Sequence, residues 1–234
     1  HFARIGEGSL GGKGRGLAFL DNIIKRHPEF NQFENATVQI PKSVVLCTDI
    51  FDEFMMSNNL YPIALSDASD DEILKHFLHA QLQMLACAIK GVYASVFYRD
   101  SKAYMTATSN VIDQEKMAVI LQQVVGKDYG TRFYPTMSGV LRSLNYYPLG
   151  DEEAEEGIAR LALGLGKYIV DGGQTLRVFP YHPNQVLQTS ETELALRDTQ
   201  TQFYALDMKH VGNDFKVDDG FNILKLRVKD AVED

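Results

Sequence analysis

The chain has 234 residues, 45% of them hydrophobic and 23% charged, and its 13 Phe and 11 Tyr supply a buried core and exclude a mainly disordered state. Twenty-three Lys and Arg against 31 Asp and Glu leave a net charge of −8, which excludes a general nucleic-acid binder but leaves room for a local basic pocket that takes phosphate. With no run of 18 apolar residues, no membrane span is expected; the opening His1-Phe2-Ala3-Arg4 lacks a signal-peptide core, and Cys47 and Cys87 in apolar stretches read as the reduced, buried thiols of a cytoplasmic protein.

In chain order, the first unusual segment is Gly6–Gly16, GEGSLGGKGRG, six glycines around Ser9, Lys13 and Arg15. Leu17–Ile24 has helical apolar spacing, and His27-Pro28 ends it, because the residue before proline is biased out of the helical region. A strand is predicted at Thr37–Ile40 and a second apolar run at Ser43–Cys47. Thr48-Asp49 can cap a helix carrying Ile50, Phe51, Phe54 and Met55, and Asp70-Asp71-Glu72 favours the start of a helix over Ile73–Leu82. Leu85–Tyr104 reads as one long helix containing Gly91.

Ala118–Val125 is predicted as a strand from its β-branched content, Tyr129–Pro135 as a connection and Ser138–Leu144 as another strand. The acidic cluster Asp151–Glu156 precedes a predicted helix over Ile158–Leu163, and glycines bracket a short apolar run, Tyr168–Val170. The last forty residues alternate in places (Phe203, Ala205, Asp207; Ile223, Lys225, Arg227), which fits strands or a terminal helix. The whole reads as α+β.

A glycine cluster followed by a helix is a physical recipe for holding phosphate. Glycine lets backbone N–H groups approach an anion, the helix N-terminus adds partial positive charge, and Lys13 adds a full one. The pattern is neither the P-loop nor the dinucleotide fingerprint, so on residues alone a flexible entry segment is an equal reading. His76 and His79 at i, i+3 lack a third metal ligand and read as a solvated face. Asp151–Glu156 reads as a solvated first turn rather than a metal site, and Tyr129, Phe133, Tyr134, Tyr146 and Tyr147 as core rather than a base-stacking surface.

GSLGGKGRGLAFL, IPKSVVLCTDIFDEFM, LACAIKGVYASVFYRDSKAY, SGVLRSLNYYP and IARLALGLGKYIVDGG, in that order, resemble the N-terminal nucleotide-binding domain of the phosphoenolpyruvate synthase and pyruvate phosphate dikinase family. The resemblance covers most of residues 4–175. It implies an ATP-grasp-type fold of two lobes, 1–110 and 111–234, with ATP between them and Mg²⁺ as the usual companion. Carried over residue by residue, Gly11, Gly12 and Lys13 would meet the ATP phosphates. Gln122 and Val124 would lie beside adenine, and Ser138 and Gly139 on the strand that reaches toward the phosphates; for Gln122 and Ser138 an ordinary strand role is the alternative.

Two departures from the family follow. The acidic metal ligand expected after Gly-Leu-Gly is Lys167 here, with Asp171 the nearest carboxylate, and the later amide ligand falls near Arg177, with Gln174 an approximate substitute. No metal ligand or catalytic residue is assigned on this basis. The family also carries an Arg-Ser-Ser strand and a Glu-Asp pair where His79-Ala80-Gln81-Leu82-Gln83 runs directly into Met84-Leu85-Ala86-Cys87. A stretch omitted near 82–85 is expected. Nothing resembles the family's swivelling phosphohistidine segment or its pyruvate- and phosphoenolpyruvate-binding barrel, so a fragment of a larger phosphotransferase, not active alone, is expected. The alternatives are a non-catalytic or regulatory nucleotide-binding module, or a relative with another phosphate acceptor.

Overall fold

The computed structural model describes residues 2–80, 86–108, 111–186, 192–209 and 222–231. The expected omission near 82–85 lies outside the described residues. The chain divides into two compact units, 1–124 and 125–234.

The first unit opens with strand β1 (Phe2–Ile5), helix α1 (Gly11–Arg26) and strand β2 (Ser43–Leu46), with β1 and β2 parallel. Parallel neighbours need a long crossover, and α1 provides it. The helix begins at Gly11, so it takes in the glycines that the sequence places before it. Gly14 is its one buried residue, and a Cβ there would stand 3.4 Å from Val45 Cγ1. Thr37–Ile40 is not a strand: residues 36–42 have no regular structure, and the Val38 N–H is taken locally by Asn31 Oδ1 at 2.7 Å.

Helices α2 (Thr48–Ser57), α3 (Tyr61–Ala64), α4 (Asp70–His79), α5 (Ala86–Ser95) and α6 (Arg99–Ala107) follow, and β3 (Val119–Gln122) closes the sheet antiparallel to β2. That pairing draws 111–124 into the first unit and puts the division after 124 instead of after 110. Helix α4 starts at a capping box in which Ser69 and Glu72 satisfy each other's backbone N–H groups. The long helix expected over 85–104 is broken between α5 and α6. Tyr98 takes an extended backbone, the Arg99 N–H donates to Asp70 Oδ1 at 2.9 Å, and Phe97 turns into the core against Phe51 and Phe77. That core also holds Phe54, Met55, Ile73 and Tyr93, and each such buried side chain contributes about 1.5–3 kcal/mol.

The second unit holds two sheets. β4 (Lys127–Asp128), β5 (Arg132–Tyr134), β9 (Gln202–Asp207) and β10 (Ile223–Arg227) form one antiparallel sheet in the order β10-β9-β5-β4. The segment 129–135 thus contains a strand where a connection was expected, held by pairing with β9 on one side and β4 on the other. Tyr134, Phe203 and Ala205 are buried at its centre.

The other sheet has the order β6-β7-β8, from β6 (Ser138–Arg142), β7 (Ile158–Ala162) and β8 (Leu176–Val178). The helix expected over Ile158–Leu163 is therefore β7, hydrogen-bonded on both sides and bounded by Gly157 (φ 73°) and Gly164 (φ 84°). The short helices α7 (Lys167–Val170) and α8 (Thr192–Asp198) complete the unit. The tail is strand over 202–207 and 223–227.

Candidate functional site

In the first unit the glycine segment 6–10 is fastened to the start of α2. The Glu7 N–H donates to Asp49 Oδ2 at 2.7 Å, the Ser9 N–H to Thr48 Oγ1 at 3.0 Å, and the Thr48 N–H to the Ser9 carbonyl at 3.0 Å. The N–H groups of Glu7 and then Gly8 hold the Asp49 carboxyl below the usual carboxylate range, against the opposing effect of burial. Gly6 and Gly8 have no room for a side chain beside Asp49, and Gly6 has φ 97°. The loop that leads into α1 is thus built tightly against a carboxylate, with Thr48 and Asp49 serving as its clamp rather than as a simple helix cap.

The clamp presents the first turn of α1 at the end of the sheet where β1 and β2 finish. The Gly11 N–H donates to Ser9 Oγ at 3.2 Å, Gly12 faces open space, and the Lys13 side chain is exposed. Such a turn offers unpaired backbone N–H groups and partial positive charge to an anion. Gly11 also lies against Ala118, just before β3. Gln122 stands at the other end of β3, where its Nε2 donates to Ser43 Oγ at 3.1 Å, and Val124 is exposed beyond it. Gly11, Gly12 and Lys13 thus share the first turn of α1 beside the start of β3, while Gln122 and Val124 lie at and beyond its other end.

In the second unit Ser138 Oγ donates to the Gly164 carbonyl at 2.6 Å, so its hydroxyl ties β6 to the loop after β7. Gly139 lies so close to β7 that a Cβ would stand 2.6 Å from Leu161 Cδ2.

Lys167 Nζ pairs with Asp171 Oδ1 at 3.0 Å, one helical turn along α7. Burial raises the Tyr204 phenol, and its hydrogen bond to Asp171 adds to that shift. Gln174 Nε2 donates to the Arg197 carbonyl at 2.8 Å. Arg177 holds Glu152 through two nitrogens at 2.5 and 2.6 Å, with only 15% and 8% of the two side chains exposed. Mg²⁺ takes oxygen ligands, usually one or two carboxylates with the substrate phosphates. The positions Lys167, Asp171, Gln174 and Arg177 offer an ammonium, a carboxylate already paired, an amide used as donor and a guanidinium. Of the four, only the Asp171 carboxylate and the Gln174 amide oxygen are of the ligand type that Mg²⁺ takes, and Asp171 is paired with the Lys167 ammonium. Among the described residues no group of three or more His, Cys, Asp or Glu is arranged to hold one.

Residues 63–213 match the AMP/ATP-binding domain family of pyruvate phosphate dikinase, which is more than half of the chain. The chain belongs to this family. The matched segment reaches into both compact units and begins after α2, so Gly11–Lys13 and the Asp49 clamp lie before it. No curated protein and no solved structure matches the chain. No helix among the described residues is long and apolar enough to cross a membrane.

Sequence reasoning missed the Asp49 clamp, which needs the loop and α2 brought together in space. It also missed Arg142, Arg160 and Arg177 as residues of one sheet face. Their signal is the two-residue spacing of Val140 to Arg142 and Ile158 to Arg160, hidden once Ile158–Leu163 is read as helix.

Proposed function

We propose that the chain is the ATP-binding module of a phosphoenolpyruvate synthase or pyruvate phosphate dikinase-like phosphotransferase, with an ATP-grasp-type arrangement. The family match over residues 63–213 carries this reading. The first turn of α1 supports the placement of the phosphates: Gly11 and Gly12 let the backbone approach, and the exposed Lys13 side chain supplies charge that can reach the γ-phosphate. Gln122 lies four steps along the chain from Ala118, which is beside Gly11, roughly 13 Å at the rise of a strand. That span accommodates a nucleotide laid from its phosphates to a base beside Gln122 and Val124. Ser138 and Gly139 belong to the strand assigned to the phosphate end.

The chemistry assigned to the module is transfer of ATP phosphate to a histidine on a separate domain, and from there to pyruvate. This chain's part is to bind and orient the nucleotide. A second reading, a nucleotide-binding or regulatory module without turnover, is favoured by the Lys167–Asp171 pair, which occupies the place of the family's acidic ligand.

Calorimetric titration with ATP tests the binding role. Lys13→Ala should weaken ATP binding by about tenfold, the worth of one charge-assisted contact, and leave the unfolding temperature unchanged because the side chain is exposed. Equal affinity in wild type and variant removes Lys13 from the site.

A further inference from the structure

One face of the β6-β7-β8 sheet carries three arginines. The register sets Val140 opposite Arg160 and Arg142 opposite Ile158, and Arg160 opposite Arg177. Residues opposite one another share a face, so Arg142, Arg160 and Arg177 project to the same side as Val140 and Ile158. They line a cleft of about 280 Å³ together with Tyr146, Tyr147, Ile169 and Val170, and no carboxylate among the described residues lines it.

Like charges placed opposite one another on a sheet repel. Glu152 relieves this for Arg177 only. It accepts both guanidinium nitrogens, and it is itself held by the Leu149 N–H at 2.9 Å and by Asn145 Nδ2 at 2.8 Å. Arg177 also donates to the Tyr147 carbonyl at 3.2 Å and lies 4.7 Å from the Phe179 ring centroid, so its guanidinium is fixed. Arg142 and Arg160 are exposed and have no carboxylate partner among the described residues.

Two guanidiniums at diagonal positions on adjacent strands, with no carboxylate partner among the described residues, face one small cleft and match a phosphate dianion in charge. Apart from Asn145, which is bound to Glu152, the rest of the described lining is apolar or aromatic. Tyr146 and Tyr147 are 66% and 84% exposed and Val170 is 82% exposed, an open apolar rim beside the basic floor. We propose that this cleft binds a small phosphate monoester bearing a flat apolar group, the phosphate on Arg142 and Arg160 and the flat group against the tyrosines. The site lies within the second unit; it shares Arg177 with the position where the family's later amide ligand falls and strand β6 with Ser138 and Gly139, but its phosphate contacts, Arg142 and Arg160, are not among the residues assigned to ATP.

Titration of the 234-residue chain with phenyl phosphate and with inorganic phosphate tests the proposal, read by calorimetry and by the arginine Nε–Hε resonances. Phenyl phosphate should bind wild type and Lys13→Ala with the same Kd. Arg142→Gln and Arg160→Gln should each weaken it by about tenfold, the loss of one charge-assisted pair. Tyr147→Ala should weaken phenyl phosphate and leave inorganic phosphate unchanged, a selective loss that still decides the matter if an arginine variant fails to fold. No binding of phenyl phosphate to wild type overturns the proposal. So does binding that falls in Lys13→Ala and persists in both arginine variants. A phosphotyrosyl peptide that binds more than about tenfold tighter than phenyl phosphate overturns the small-molecule assignment, because the extra affinity would come from contacts outside the cleft.

Discussion

Replacing Glu152 by Gln removes one charge from the Glu152–Arg177 pair while keeping its shape. Burial opposes ionisation of Glu152, yet hydrogen bonds from Arg177, the Leu149 N–H and Asn145 together hold its carboxyl below the usual 4.5. With 8% and 15% of the side chains exposed, the pair is close to fully desolvated, and breaking such a pair from one side costs about 3 kcal/mol. The second unit spans 125–234, a size at which each kcal/mol shifts the midpoint by about 3–5 °C, so Glu152→Gln should unfold about 10 °C lower at pH 7.

The sign of the pH dependence follows from linkage. A carboxyl whose folded pKa is depressed contributes stability that is complete above its unfolded value, 4.5, and is lost as pH falls through the lower folded value. The gap between wild type and variant should therefore be full at pH 6–7 and shrink as pH falls below 4.5. Urea unfolding followed by tyrosine fluorescence, repeated from pH 7 to pH 3, reads both quantities. Equal stability at pH 7 refutes the reasoning, as does a gap that persists unchanged to pH 3.

Three further outcomes are expected. Gly164→Ala should destabilise by about 2 kcal/mol or more in urea unfolding, because φ there is 84° and the new Cβ would stand 2.6 Å from the Tyr204 carbonyl; an unchanged midpoint contradicts the strain. Asp49→Ala should loosen the 6–10 loop and raise the Kd for ATP, and in wild type the same loss should set in as pH drops through the depressed pKa of Asp49; ATP affinity indifferent to both changes would separate the clamp from binding. Lys167→Glu replaces the ion pair on α7 with two carboxylates one turn apart, so ATP affinity should gain dependence on Mg²⁺; identical titrations with and without the metal in both proteins place Lys167 outside the site.

How far the sequence reached depended on whether its signals were local. The start of α4 at Asp70-Asp71-Glu72, β2 and the core face of α2 at Phe51, Phe54 and Met55 were readable, because first-turn charge and periodicity act within a few residues of themselves. So was the joining of glycines and lysine at the start of a helix, and the ordered blocks that resemble the family. Where a segment's state depended on distant partners, the sequence left it open or pointed the wrong way. IARLA has the composition of a helix and becomes β7 because β6 and β8 supply hydrogen bonds on both sides. The chain from Leu85 to Tyr104 lacks a local breaker, and it bends because Phe97 gains more from the core than the helix gains from continuing.

The same reason governs the sites. Asp49 lies forty-two residues from the Glu7 N–H that it holds, and only the crossover from β1 to β2 brings the two together. Arg142, Arg160 and Arg177 are unremarkable along the chain and become one basic face only through strand register, which no local pattern encodes because it is set by which residues pair across the sheet.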